Sequence, residues 1–116
     1  MEIDMPHIVV EYSANSIDDE TLAHALESCF QVCCEFDCIN PKAMKIRAHP
    51  VSSAYYGNGA DSFVHVTAHL LAGRSVERKA DISKALLDDF MKMLPFIDTF
   101  SVDILEIDGR VYQKNK

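Results

Sequence analysis

The chain has 116 residues, 48% of them hydrophobic, and a formal net charge of −7, which suits one domain with a modest core. That charge, with no basic face interleaved with aromatics, excludes nonspecific nucleic-acid binding. The apolar runs are too short to cross a membrane as a helix. No basic segment followed by an apolar stretch marks a secretory signal, so the expected location is cytoplasmic. A small anionic ligand remains compatible with this composition, because a few local cations can focus a positive pocket on an acidic surface.

Residues 1–5 precede the run Pro6-His7-Ile8-Val9-Val10-Glu11-Tyr12, which reads as a complete N-terminus displaced from position 1. They are expected to be an extension left by an over-long gene start, ahead of a single domain over residues 6–116. Were Met5 the initiator, its removal would leave Pro6 with a free secondary amine. Inside a chain the same nitrogen is an amide without basicity. Ile8, Val9, Val10 and Tyr12 predict a strand over 6–13 buried on both faces. Ser16, Asp18, Asp19 and Glu20 supply capping and first-turn residues for a helix. Its apolar stripe runs through Leu22, Ala25, Leu26, Cys29, Cys33 and Phe36, ending before Asn40-Pro41. Cys29, Cys33, Cys34 and Cys38 lack ligand spacing and fall in this helical stretch, so they read as reduced thiols with Cys29 and Cys33 in the core, not as a metal site.

Lys45-Ile46-Arg47-Ala48 with Val51 predicts a second strand, and residues 52–61, containing Gly57-Asn58-Gly59, a loop. A third strand follows over 63–71. Ala72-Gly73-Arg74-Ser75 makes a turn with Ser75 as helix N-cap. A stripe of Ile82, Ala85, Leu86, Phe90 and Met93 stops before Pro95, and a last strand covers 100–107. Laying Val9 on Val66 carries Asp18 onto Ser75 and Glu20 onto Glu77. The chain is therefore two βαβ pseudo-repeats, about 6–52 and 62–107, each joining parallel strands through a helical crossover. The predicted fold is α+β, a four-stranded mixed sheet with two helices on one face. Such a sheet leaves one face and its edges bare, so association is expected.

Pro6-His7 with Val10-Glu11, Arg47-Ala48-His49, Phe63-Val64-His65-Val66-Thr67 and Ala72-Gly73-Arg74-Ser75-Val76-Glu77 together resemble the 5-carboxymethyl-2-hydroxymuconate isomerase family of the tautomerase superfamily. The resemblance covers nearly the whole chain from Met5 to about Ile107. It implies a tautomerase (MIF-like) fold and a homotrimer. It also implies an isomerase in which an N-terminal proline moves a proton on an unsaturated 2-hydroxy or 2-oxo dicarboxylate during aromatic-compound breakdown, with no cofactor and no metal. The proline role falls on Pro6, and the family's glycine-arginine pair falls on Gly73 and Arg74. Its strand-borne cations fall on Lys45, where the family usually has arginine, and on Arg47. Lysine keeps the charge but loses the bidentate fork.

The chemistry asks for such residues. Turning a 2-hydroxydiene into a 2-oxo-alkene needs one group that accepts a proton at oxygen and returns it at carbon, with a pKa near the working pH. An α-amino group starts at roughly 7.7–8.0 and is lowered by burial and nearby cations. A guanidinium can hold a substrate carboxylate or charge developing on the 2-oxygen, and Arg74 stands where a helix N-terminus also favours an anion. Ile17 occupies the matching place in the first repeat, so one site per chain is expected. Plainer readings stand beside these. Pro6 could simply open an edge strand. Arg74 could be a solvated helix-start residue whose loss costs within about 0.5 kcal/mol. Lys45 and Arg47 share one strand face, so both face a site or both face solvent. His65 and His69 also share a face but stand roughly 13 Å apart along it, too far for one ion, and read as packing or interface residues. The competing function is a non-catalytic oligomer of the same fold, with Pro6 blocked by residues 1–5.

Overall fold

A computed structural model describes residues 6–116; the expected extension over residues 1–5 lies outside the described residues. Strand β1 (Pro6–Ser13) leads into helix α1 (Asp19–Cys33), a short 3-10 turn (Pro41–Ala43) and strand β2 (Lys45–Val51). Strand β3 (Phe63–Leu71), helix α2 (Val76–Met93) and strand β4 (Thr99–Ile107) repeat the unit. The sheet order is β2-β1-β3-β4. β1 runs parallel to β2, with His7 opposite Lys45, and antiparallel to β3, with Pro6 opposite Leu70. β3 runs parallel to β4, from Phe63 opposite Thr99 to Leu71 opposite Ile107. The expected α+β architecture of two βαβ units is the observed one.

Both helices start where the sequence places a cap. The Asp18 carboxylate accepts from the Thr21 N–H at 2.7 Å, and the Ser75 hydroxyl accepts from the Arg78 N–H at 3.1 Å. Each bond satisfies a donor that the first helical turn leaves free. Helical spacing then puts Ala25, Cys29 and Cys33 of α1, and Ile82, Leu86 and Phe90 of α2, on one buried side. They meet Ile8 and Val10 of β1 and Val64, Val66, Ala68 and Leu70 of β3 in a single core. Each fully buried Leu, Ile or Phe stabilises the fold by about 1.5–3 kcal/mol. Ser28 of α1 donates to the Asp89 carboxylate of α2 at 2.7 Å, joining the helices side by side.

Three expectations change in detail. β1 is not buried on both faces. Ile8, Val10 and Tyr12 lie under the helices, whereas His7 and Val9 are half-buried and Glu11 is exposed on the opposite face. One layer of helices can cover only one face, and period-two alternation sends the odd residues to the other. α1 ends at Cys33, short of Phe36. There the Glu35 N–H bonds the Val32 carbonyl and the Phe36 N–H bonds the Cys33 carbonyl, so the chain tightens into turns. Phe36 still packs against the core. Finally, Pro6 does not sit on an edge. β1 is an inner strand, and Pro6 is tolerated because it is the first residue of the strand.

Candidate active site

Register gathers the candidate residues at one end of the sheet. Pro6, buried, opens β1 opposite Leu70, and His7 lies between Lys45 on one side and His69 on the other. β3 leaves the sheet at this end, and β4 finishes beside it, the Ala72 N–H bonding the Ile107 carbonyl at 3.0 Å. Gly73, at φ 115°, then turns the chain into α2. A side chain would strain that conformation, which accounts for glycine before Arg74.

Lys45 and Arg47 project together from the face that the helices leave open, and both are exposed. Arg47 does not stand alone: its Nη1 lies 3.1 Å from His7 Nδ1. A guanidinium only donates, so Nδ1 is the acceptor and Nε2 carries the imidazole proton. That N–H donates to the Tyr112 hydroxyl at 2.9 Å. The His7 and Tyr112 rings meet edge to face with centroids 5.9 Å apart. Burial lowers the His7 pKa below its ordinary value, and the charges of Arg47, Lys45, His69 and Lys114 lower it further. A neutral His7 is what the two hydrogen bonds require.

Gly73 and Arg74 lie at the same end of the sheet but on the helix layer. The Arg74 guanidinium folds back, donating from Nη1 to the Leu71 carbonyl at 2.8 Å and from Nη2 to the Cys38 carbonyl. Its Nε is buried and has no partner among the described residues. The bland reading of Arg74 as a solvated residue is therefore corrected: it ties the segment after α1 to the turn before α2. Arg78 reinforces this with an ion pair to Asp37 at 2.8 Å. A carboxylate already stands near the turn, since the Gly73 N–H reaches Glu106 at 3.4 Å and Lys79 pairs with the same side chain. The structure thus brings Lys45 and Arg47 together beside Pro6-His7 and sets Gly73-Arg74 apart from them.

His7 was legible only as part of the Pro6-His7 motif, and Tyr112 carried no signal in its polar tail. His65, half-buried on the open face, bonds Ser101 at 2.6 Å. Cys29 and Cys33 are fully buried, as their spacing predicts, whereas Cys34 is exposed. Among the described residues no group of three His, Cys, Asp or Glu side chains could hold a metal ion. No described helix is long and apolar enough to cross a membrane. An open groove lined by Val76, Lys79, Ala80, Ser83, Asp103 and Ile104 runs between α2 and β4 and includes none of the candidate residues.

The sequence model of the 5-carboxymethyl-2-hydroxymuconate isomerase family matches residues 6–115, beginning at Pro6. The chain belongs to that family. Solved structures carry the same fold. A 5-carboxymethyl-2-hydroxymuconate isomerase from Deinococcus radiodurans R1 superposes with a TM-score of 0.77 at 23% identity, covering 95% of this chain and 88% of that one. A fused 4-OT wild-type symmetric trimer gives 0.79 at 20% identity, with 95% and 93% covered. A macrophage migration inhibitory factor-like protein from Entamoeba histolytica gives 0.75 at 12% identity, with 95% of each chain covered. No curated protein matches the chain in sequence. Family membership makes this an isomerase with the tautomerase fold, as the sequence motifs implied.

Proposed function

We propose that the chain, when it begins at Pro6, is a cofactor-free isomerase. It would ketonise unsaturated 2-hydroxy dicarboxylates of the 5-carboxymethyl-2-hydroxymuconate type, in the cytoplasm and within the breakdown of aromatic compounds. The observation that carries this reading is that the family match begins at Pro6, and that residue opens β1 at the sheet end from which Lys45 and Arg47 project. In the mechanism the proline amine takes the proton from the 2-hydroxyl. The O–H electron pair moves into the new carbonyl, the double bonds shift along the chain, and the same nitrogen delivers the proton to carbon. No electron is gained or lost. Arg47 and Lys45 hold a carboxylate, and Arg74 would meet a second anionic group by turning its guanidinium away from the Leu71 and Cys38 carbonyls. The β2 and β4 edges are covered in a homotrimer, a reading supported by the symmetric trimer among the similar structures.

The test compares chains 6–116 and 1–116, each checked by intact mass and by light scattering. General acid–base catalysis is worth roughly 10²–10⁴-fold. Ketonisation of 2-hydroxymuconate, followed by loss of its ultraviolet absorbance, should therefore be faster by at least about 10² in the chain beginning at Pro6. Equal rates would rule out the amine mechanism, and no turnover by either chain would leave a non-catalytic oligomer of the same fold. A stable monomer would remove the trimer.

A further inference from the structure

Arg47 is the cation best placed to grip a substrate carboxylate, yet it is exposed on a sheet face where an arginine side chain has many conformations to choose from. Holding a long side chain in one of them costs conformational entropy. Two hydrogen bonds limit that freedom here. His7 Nδ1 accepts from Arg47 across the β1–β2 pairing, and Tyr112, from the segment after β4, accepts from His7 Nε2. The three groups come from strand β2, strand β1 and the C-terminal tail, so the arrangement exists only in the folded chain. We propose that His7 is a positioning residue for Arg47 and that Tyr112 anchors the His7 ring in place, so that the C-terminal tail sets how tightly the site holds a dicarboxylate.

The chemistry is specific. If Nδ1 carried the proton, it would face the Arg47 N–H donor to donor, and the bond would be lost. The Tyr112 hydroxyl can donate or accept, so it is the donor-only Arg47 that sets the tautomer, and Tyr112 takes the resulting Nε2–H and holds the ring in place. The surroundings favour the neutral ring: Lys45 and Arg47 from β2, His69 from β3 and Lys114 from the tail all bring positive charge toward His7. A second-layer hydrogen bond that fixes an imidazole is a familiar way of orienting a binding group. In this case the imidazole in turn orients a guanidinium. The inference rests on Arg47 binding a carboxylate, but not on Pro6 doing chemistry.

The test uses chain 6–116 and two ligands that cannot be ketonised. Muconate carries two carboxylates on a diene, and sorbate carries one. Calorimetry should show His7→Leu weakening muconate by about tenfold, the effect of one charge-assisted hydrogen bond. Sorbate, held by the remaining cation, should change by less than about threefold, the smaller effect of a surface interaction. His7→Asn, whose amide oxygen can stand in for Nδ1, should recover most of the loss. Nitrogen-15 NMR of the ligand-free chain should find His7 as the Nε2–H tautomer, and Tyr112→Phe, which loosens the ring by removing one hydrogen bond, should weaken muconate by about threefold. The Nδ1–H form in the unaltered chain, equal muconate affinity in His7→Leu, or no recovery in His7→Asn would each overturn the proposal. Failure of the unaltered chain to bind muconate would overturn it together with the carboxylate role of Arg47. Muconate binding without turnover of 2-hydroxymuconate would remove the isomerase reading alone.

Discussion

Replacing Arg74 by alanine tests how the structure divides this residue between fold and site. The guanidinium donates to the Leu71 and Cys38 carbonyls, and alanine removes both bonds. Hydrogen bonds to charged groups contribute about 1.5–3 kcal/mol each. Arg74 is only half-buried, so water can partly re-solvate the carbonyls, and a loss of about 2–4 kcal/mol in total is the expected size. At about 4 °C per kcal/mol for a domain of this length, the Tm should fall by roughly 8–16 °C. Arg74→Lys should recover about half, because an ammonium is a point charge without the planar fork. Arg78→Ala is the control. Its pair with Asp37 is largely exposed, with side-chain exposures of 41% and 85%, and should be worth under about 1 kcal/mol. Urea unfolding with an unchanged m-value reports the difference directly. An Arg74→Ala chain as stable as the parent within about 0.5 kcal/mol would refute the structural role. Activity measured well below the midpoint would then show what remains to be assigned to substrate.

Thiol labelling of the native chain should modify Cys34 rapidly and leave Cys29 and Cys33 untouched until denaturant is added. The Cys29 thiol is held protonated by its contact with Cys33 and by burial; labelling of all four cysteines at one rate would contradict the core. The His7 pKa lies below its ordinary 6.5 in the folded chain, so the unfolded chain binds that proton more readily and stability falls as pH drops below about 6.5. Chemical denaturation of the parent and of His7→Asn across pH 5–7 should show a shallower fall in the variant; parallel curves would mean that His7 titrates alike in both states.

Most of the fold was legible because its signals are local. A continuous apolar run marked β1, β-rich composition marked β3, helical stripes marked α1 and α2, and Ser75 announced the start of α2. Phe36 misled because an apolar residue at helical spacing packs against the core equally well from a turn. Val9 misled in another way, since an unbroken Ile8-Val9-Val10 run carries no trace of which face the helices cover. The site was legible in type more than in arrangement. The charges of Lys45 and Arg47 and their shared face follow from spacing along one strand. The His7–Arg47 and His7–Tyr112 bonds join residues far apart in sequence, and neither period nor composition records such meetings. Arg74 shows the same limit: its position was plain, but the two carbonyls it binds belong to segments whose path no local pattern fixes.

The pairing of strands also bears on how the molecule assembles in time. Within each half, a strand finds its parallel partner immediately after its own helix, β1 with β2 and β3 with β4. The antiparallel ladder between β1 and β3 is the main-chain seam that needs both halves at once. Closing a longer stretch of chain costs more entropy and slows folding. Each half can therefore form its local contacts early, and the meeting of β1 with β3 sets the pace. Because His7 faces Lys45 and His69 across its two ladders, the surroundings of Pro6 are completed only at that last seam, and a chain caught with its halves formed but undocked would have every element of the fold and no site.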